Sequence, residues 1–199
     1  MKSINKINLF LLVILLSNRH QVQSQKLMSV SFFNHSTTLP PHIFGGPFHP
    51  GLDIGYTKSQ DLRKNKISFI QWKAGYYYHR LVHHGIQAYG EYNRMYAGPN
   101  RWKWGWSGGL GYLHTIELHE KFKLQKNGLY GRTGRAGSSH VQTSISIKLL
   151  YSSLYVAPFL EYRFKMITPF VNKYVALLPS TSVHLGLYFI IHPSQKEMK

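Results

Sequence analysis

The chain has 199 residues, a length that suits one domain, and sets 24 Lys and Arg against 7 Asp and Glu, a formal charge of +17, without a single cysteine. The absence of cysteine excludes a disulfide framework and thiolate metal sites, and the charge favours polyanionic surroundings. Beyond its first residues no apolar run reaches the ~20 residues that a membrane helix needs, so a crossing there must use strands.

Residues 1–24 have the layout of a secretory signal peptide: Lys2 and Lys6, an apolar stretch from Ile7 to Leu16, then a polar run with Val22 and Ser24 where signal peptidase reads compact side chains. Cleavage after Ser24 is expected, leaving 25–199 as one domain. Removing Lys2, Lys6 and Arg19 from the 24 cations leaves 21 against 7 acids, a net charge of +14. An exported chain of that charge meets phosphorylated lipopolysaccharide and anionic lipid headgroups rather than nucleic acid. No zinc-finger spacing, RNP-like strand or basic helix points the other way.

The exported part alternates with period two, the signature of strands. The alternation is weaker at 28–33, 52–57, 67–78 and 86–93. It is clearest over 102–118, where Trp102, Trp104, Trp106, Leu110, Tyr112, Ile116 and Leu118 share one face and Lys103, Ser107, Gly109, Gly111, Thr115 and Glu117 the other. In 141–151, Val141, Ile145, Ile147 and Leu149 oppose Gln142, Ser144, Ser146 and Lys148; 156–164 and 183–191 complete eight strands, the last with Val183, Leu185, Leu187, Phe189 and Ile191 on one side. A strand of a soluble sandwich is usually about half as long as 102–118. The pattern predicts an all-β fold, a single antiparallel up-and-down membrane β-barrel of eight strands, with lipid outside and a packed polar lumen inside.

Connection lengths agree with that count. Segments 35–50, 119–140 and 166–181 are long and fall on one end together with the short 81–85, while the short 59–65, 97–101 and 152–155 fall on the other. Outer-membrane barrels have this asymmetry, with short turns and both termini in the periplasm. The Trp-rich strand, Gly109-Leu110-Gly111-Tyr112-Leu113-His114-Thr115 and the closing His184-Leu185-Gly186-Leu187-Tyr188-Phe189 make the region from Pro50 to Ile191 resemble small outer-membrane β-barrel proteins of Gram-negative bacteria that carry no assigned chemistry. The resemblance implies an outer-membrane location and insertion by the barrel insertion machinery. Such barrels usually stop at a terminal aromatic residue, whereas this chain runs on from Phe189 to Lys199.

Several charged residues fall on inward positions: Asp53, Glu91, Glu117 and Glu161 with Lys73, Lys103, Lys148 and Arg163. An eight-stranded barrel is just wide enough for side chains to fill it, so these charges are expected to pair across the lumen and close it. The segment 119–140 holds Lys121, Lys123, Lys126, Arg132 and Arg135 against Glu120, among Gly128, Gly131, Gly134 and Gly137, and is expected to be a pliable outer loop that contacts polyanions. Tyr56, Trp72, Tyr76, Tyr77, Tyr78, Trp102, Trp104, Trp106 and Tyr151 suit the aromatic girdles of a barrel. His79, His83, His84, His114 and His119 form no pair on a helix and have no Cys beside them that would specify a metal, and Ser138, Ser139 and His140 have no rigid elbow or orienting acid that would specify a nucleophile. No cofactor is expected, and the chain is expected to act as a monomer.

These residues point to an outer-membrane barrel with a structural or surface-interaction role, its lumen closed by salt bridges and its basic loop on lipopolysaccharide. A narrow channel, a lipid A-modifying enzyme and a soluble periplasmic barrel are the alternatives.

Overall fold

The computed structural model describes residues 26–37, 48–63, 65–80, 82–118, 121–124, 128–133, 137–153, 155–169 and 176–191, with the side chains of 58–63, 121–124 and 132–133 outside the description. The expected signal peptide lies outside the described residues. Eight strands form the wall: β1 (Lys26–Ser36), β2 (Pro50–Arg63), β3 (Lys66–His79), β4 (His83–Ala97), β5 (Trp102–Glu117), β8 (Ser138–Tyr151), β9 (Val156–Thr168) and β10 (Leu178–Ile191). Between β5 and β8 the chain makes a separate two-stranded sheet, β6 (Lys121–Leu124) with β7 (Tyr130–Thr133).

Every wall strand pairs antiparallel with its neighbour in the chain, and β1 pairs with both β2 and β10, so the sheet closes on itself. Closure leaves no edge strand with unpaired backbone groups, a condition for placing strands in lipid. The strands run to 11–16 residues, above the ~9–11 that a tilted strand needs to cross a hydrocarbon layer. Seven of the eight are longer than the alternation alone suggests, because the ladders continue past the last clearly amphipathic residue, while β5 ends one residue before Leu118. The parity of the connections is as read: the turns at 63–66, 97–102 and 151–156 share one end with Lys26 and Ile191, and the connections 36–50, 79–83, 117–138 and 168–178 share the other.

The wall is polarised radially. Ile70 and Trp72 on β3, Leu110 and Tyr112 on β5, Ile145 and Ile147 on β8 and Leu185 on β10 are all exposed, while the alternate positions are buried or half-buried. Rings gather at two levels of that outer face. Tyr96 stacks on Trp104 with centroids 5.0 Å apart and Trp102 meets Tyr151 edge-on near the short turns; Tyr76 bonds His84 and Tyr112 bonds Ser139 near the long connections. Tyr77 departs from the expected girdle. It is 1% exposed and points inward, because its neighbours Tyr76 and Tyr78 hold the outward phase of β3.

The interior is layered. Strand β9 shows the order along its inward side: Ala157 and Phe159, then Glu161, Arg163 and Lys165, then Ile167. The short-turn layer is apolar, with Leu27, Phe69, Met95, Ala157, Phe159 and Tyr188; the long-connection layer holds Phe33, Tyr77, Leu113 and Ile167 against Leu178. Between them lies the charge. Glycines opposite the bulkiest inward side chains make room for them: a Cβ on Gly75 would strike the Asp53 carboxylate and one on Gly111 would strike the Tyr89 Cβ. Such small-against-large alternation is how a narrow barrel interior is filled.

These positions separate two glycines three residues apart. A Cβ on Gly111 would also stand 2.5 Å from the Ala88 carbonyl oxygen, backbone that cannot give way, whereas one on Gly108 meets nothing within 4 Å. Gly111→Ala is expected to lower stability by about 1–3 kcal/mol, as overpacking does, and Gly108→Ala to leave it unchanged or raise it. Urea unfolding in lipid vesicles measures both.

Candidate functional site

The middle layer is built from alternate residues of five strands. Asp53 on β2, Lys73 on β3, Glu91 on β4, Lys148 on β8 and Glu161 with Arg163 on β9 reach one another at the barrel axis, each side chain 4% exposed or less as a residue. Glu91 takes Lys148 Nζ at 2.6 Å, Arg163 Nη2 at 2.5 Å and Lys73 Nζ at 3.1 Å. Glu161 takes the same three cations: Arg163 Nη2 at 2.6 Å and Nε at 3.0 Å, Lys148 at 3.3 Å and Lys73 at 3.4 Å. Two carboxylates thus share three cations in water-poor surroundings, where an unpaired charge would be penalised by several kcal/mol.

Asp53 sits at the side of this group. It accepts hydrogen bonds from Gln87 Nε2 at 2.7 Å and Tyr89 Oη at 2.6 Å, and Arg163 Nη1 donates to the same Tyr89 hydroxyl. Lys148 also donates to Asn93 Oδ1 at 2.5 Å and to Tyr188 Oη at 3.4 Å, and Tyr188 passes a hydrogen bond to Gln71, which donates to Ser29. Gln71, Gln87, Tyr89, Asn93 and Tyr188 were not singled out by sequence. They are uncharged, and only the fold shows that they carry the lone pairs and protons the ions leave over.

Lys165 was also missed, although it continues the Glu161, Arg163 alternation by one step. Its ammonium lies 5.3 Å from the Phe33 ring centre and 5.8 Å from that of Tyr77, and donates to Gln87 Oε1 at 3.3 Å, so ring faces and an amide supply what an acid would.

Two of the eight expected charges stand elsewhere. Lys103 and Glu117 face inward as read, but they occupy opposite ends of β5. Lys103 lines a cavity at the short-turn end, and Glu117 stands at the long-connection rim beside His83. Alternation gives the side of a strand; it does not give depth along the barrel.

The long-connection rim is rich in histidine. Phe32, Tyr76 and Ile86 mark the last exposed apolar residues of β1, β3 and β4 at this end, and His35, His79 and His83 lie beyond them. His49 is held by β1 through its N–H to Asn34 Oδ1 and its carbonyl to the His35 N–H, and its ring stacks on His79 at 3.7 Å. His79 in turn faces His83 at 5.5 Å, and His83 Nε2 is 3.2 Å from Tyr77 Oη. Burial pulls the His83 imidazole down to about 4, with His79 and His140 acting the same way and Glu117 opposing. Burial also lowers His49 and His79.

Ser138, Ser139 and His140 lie in strand β8 rather than in a loop. His140 points inward, its Nδ1 2.5 Å from the Pro169 carbonyl oxygen, which can only accept; Nδ1 therefore carries the proton and Nε2 faces Thr115 Oγ1 at 3.0 Å. Ser139 points outward to Tyr112 Oη at 2.7 Å. Ser139 and His140 therefore stand on opposite sides of the wall, while Ser138, two residues from His140, shares its side.

The expected basic loop contains the β6–β7 ladder, with Lys121 opposite Thr133, Phe122 opposite Arg132 and Lys123 opposite Gly131. Part of 119–140 is thus a hairpin and not a uniformly pliable segment. Lys126 and Arg135 lie outside the described residues, as do the side chains of Lys121, Lys123 and Arg132.

Together these features define a class: a closed, eight-stranded, up-and-down antiparallel β-barrel, apolar outside and ionic within. No family profile matches the chain, and no curated protein matches it. Among solved structures, it is similar to the N-terminal β-barrel domain of Pseudomonas aeruginosa OprF at 13% identity, covering 85% of this chain and 100% of that one with a TM-score of 0.48. It is likewise similar to Neisserial surface protein A at 12% identity, covering 84% and 96% with a TM-score of 0.47, and to the attachment invasion locus protein Ail of Yersinia pestis at 8% identity, covering 83% and 99% with a TM-score of 0.42. No residue role follows for this chain from these likenesses.

Glu91→Gln removes a carboxylate shared by three buried cations and is expected to cost about 3–5 kcal/mol, whereas Lys103→Met, outside that group, should change stability by no more than about 0.5 kcal/mol. Denaturant midpoints in vesicles decide between them. The rim gives a pH dependence. His83 is neutral in the folded state down to about 4 but protonates near 6.5 once unfolded, so its stabilisation is intact above 6.5 and lost as pH falls from 6.5 through about 4. The urea midpoint should decline across that window, and less steeply in His83→Phe.

Proposed function

We propose that this chain is an outer-membrane barrel of the Gram-negative envelope, monomeric, with a structural or surface-interaction role. The observation that carries the reading is the radial inversion of the wall: apolar side chains are exposed around the ring while lysine, arginine and glutamate are buried at its axis. Water as the outer solvent would reverse that arrangement, and hydrocarbon requires it. Export through a cleaved signal peptide and assembly by the barrel insertion machinery go with this reading.

The lumen is closed to ions by the Glu91–Glu161–Arg163–Lys148–Lys73 group, whose members occupy the axis between two apolar layers. The long connections face outward, and the basic segment 119–140, with Lys121, Lys123, Lys126, Arg132 and Arg135 in its sequence, meets the phosphates of lipopolysaccharide. Each cation near an anionic leaflet contributes on the order of 1 kcal/mol, weakened by salt.

Fractionation followed by gel electrophoresis tests the location. The protein is expected in the outer-membrane fraction, compact without boiling and slower after it; a soluble, heat-indifferent species would remove the reading. Planar bilayers test closure, with no stepwise conductance expected and a steady open channel overturning it. Neutralising Lys121, Lys123, Arg132 and Arg135 together should weaken lipopolysaccharide binding at low salt while heat-modifiable mobility persists. Unchanged binding would remove the polyanion from the proposal, and turnover of labelled lipid A would replace it with an enzyme.

A further inference from the structure

The short-turn end of the barrel is filled differently from its middle. Leu27, Phe69, Met95, Ala157 and Ile190 are among the apolar residues around a cavity of about 160 Å³, with Lys103, Ser152 and Ser153 at its polar side and the ring of Tyr188, whose hydroxyl donates to Gln71, in its wall. Among the described residues no acidic side chain lines it, and Asp53, Glu91 and Glu161 are all engaged deeper in the barrel. Ala157 is the small member of the layer, set beside Phe159 and Phe69, and its short side chain leaves the space.

Water finds no partner along Leu27, Phe69, Met95 and Ala157 and is held only at the polar side by Lys103, Ser152 and Ser153. Apolar walls around a space of about 150 Å³ accept a benzene-sized guest. One ammonium and two hydroxyls beside such walls match a molecule with an apolar body and a single anionic head. The barrel wall separates the cavity from the lipid that faces Leu110 and Ile147, so the guest is a water-soluble amphiphile rather than a bilayer acyl chain.

We propose that this end of the barrel is a binding site for a small monocarboxylate, with a ring or a chain of about six carbons against Met95 and Ala157 and the carboxylate at Lys103 Nζ. The site does not depend on the lumen being closed or on what the outer hairpin contacts. It is reached from the end that carries the short turns.

The test uses the full chain folded in detergent or nanodiscs, labelled with ¹³C at the methionine methyls and titrated with phenylacetate. Met95 lies in the cavity wall, 3% exposed, while Met28 and Met166, 39% and 41% exposed, report partition onto the outer face. The expected result is a saturable shift of the Met95 methyl alone. Phenylacetamide, of the same shape without the charge, and the Lys103→Met variant with phenylacetate should each bind roughly tenfold or more weakly, as expected when a hydrogen bond to a charged group is lost. Ala157→Leu should abolish the shift while heat-modifiable mobility shows the barrel still folded. An unresponsive Met95, a linear shift that Met95 shares with Met28 and Met166, or equal binding of acid and amide would each overturn the proposal. So would a Met95 response that appears only after residues 192–199 are removed, since the cavity would then belong to the chain's own tail.

Discussion

The pairing of β1 with β10 is the constraint on which everything else rests. Eleven residue pairs from Lys26↔Ile191 to Ser36↔Thr181 close the sheet, and only a closed sheet satisfies every strand's backbone without water. Once the backbone is satisfied internally, side chains on the outer face are free to be apolar. The inner face must then hold nearly everything else in the strands, because alternation allows no third side. The ionic core is the consequence of an apolar exterior on a narrow ring.

That core explains how so cationic a chain folds without disulfides or a conventional apolar centre. Each glutamate is shared among three cations, and each cation reaches both glutamates, so removing any one partner strands more than one charge. Neutral side chains complete the network: Tyr89 joins Asp53 to Arg163, and Asn93 and Tyr188 take up the remaining protons of Lys148. Apolar layers above and below keep water out, which strengthens every ion pair between them. The two ends of the barrel then differ in chemistry, imidazoles with long connections at one and a largely apolar cavity lined by Lys103 at the other.

Composition and period-two alternation determined the all-β class, the eight wall strands, their in–out phase and the parity of their connections, because each of these follows from the side-chain direction of consecutive residues. Phase placed Asp53, Lys73, Glu91, Lys148, Glu161 and Arg163 inward with no knowledge of their partners, and it placed Lys103 and Glu117 inward too. Only the tertiary structure decided depth. The register and tilt of the ladders set Lys148 opposite Glu161 and send the two ends of β5 to opposite rims. Depth depends on how neighbouring strands are staggered around a closed ring, which no single strand records. The same holds for Tyr77, one of three consecutive tyrosines of which the pleat turns one inward, and for the cavity beside Ala157, which exists only because residues from separate strands meet at one level.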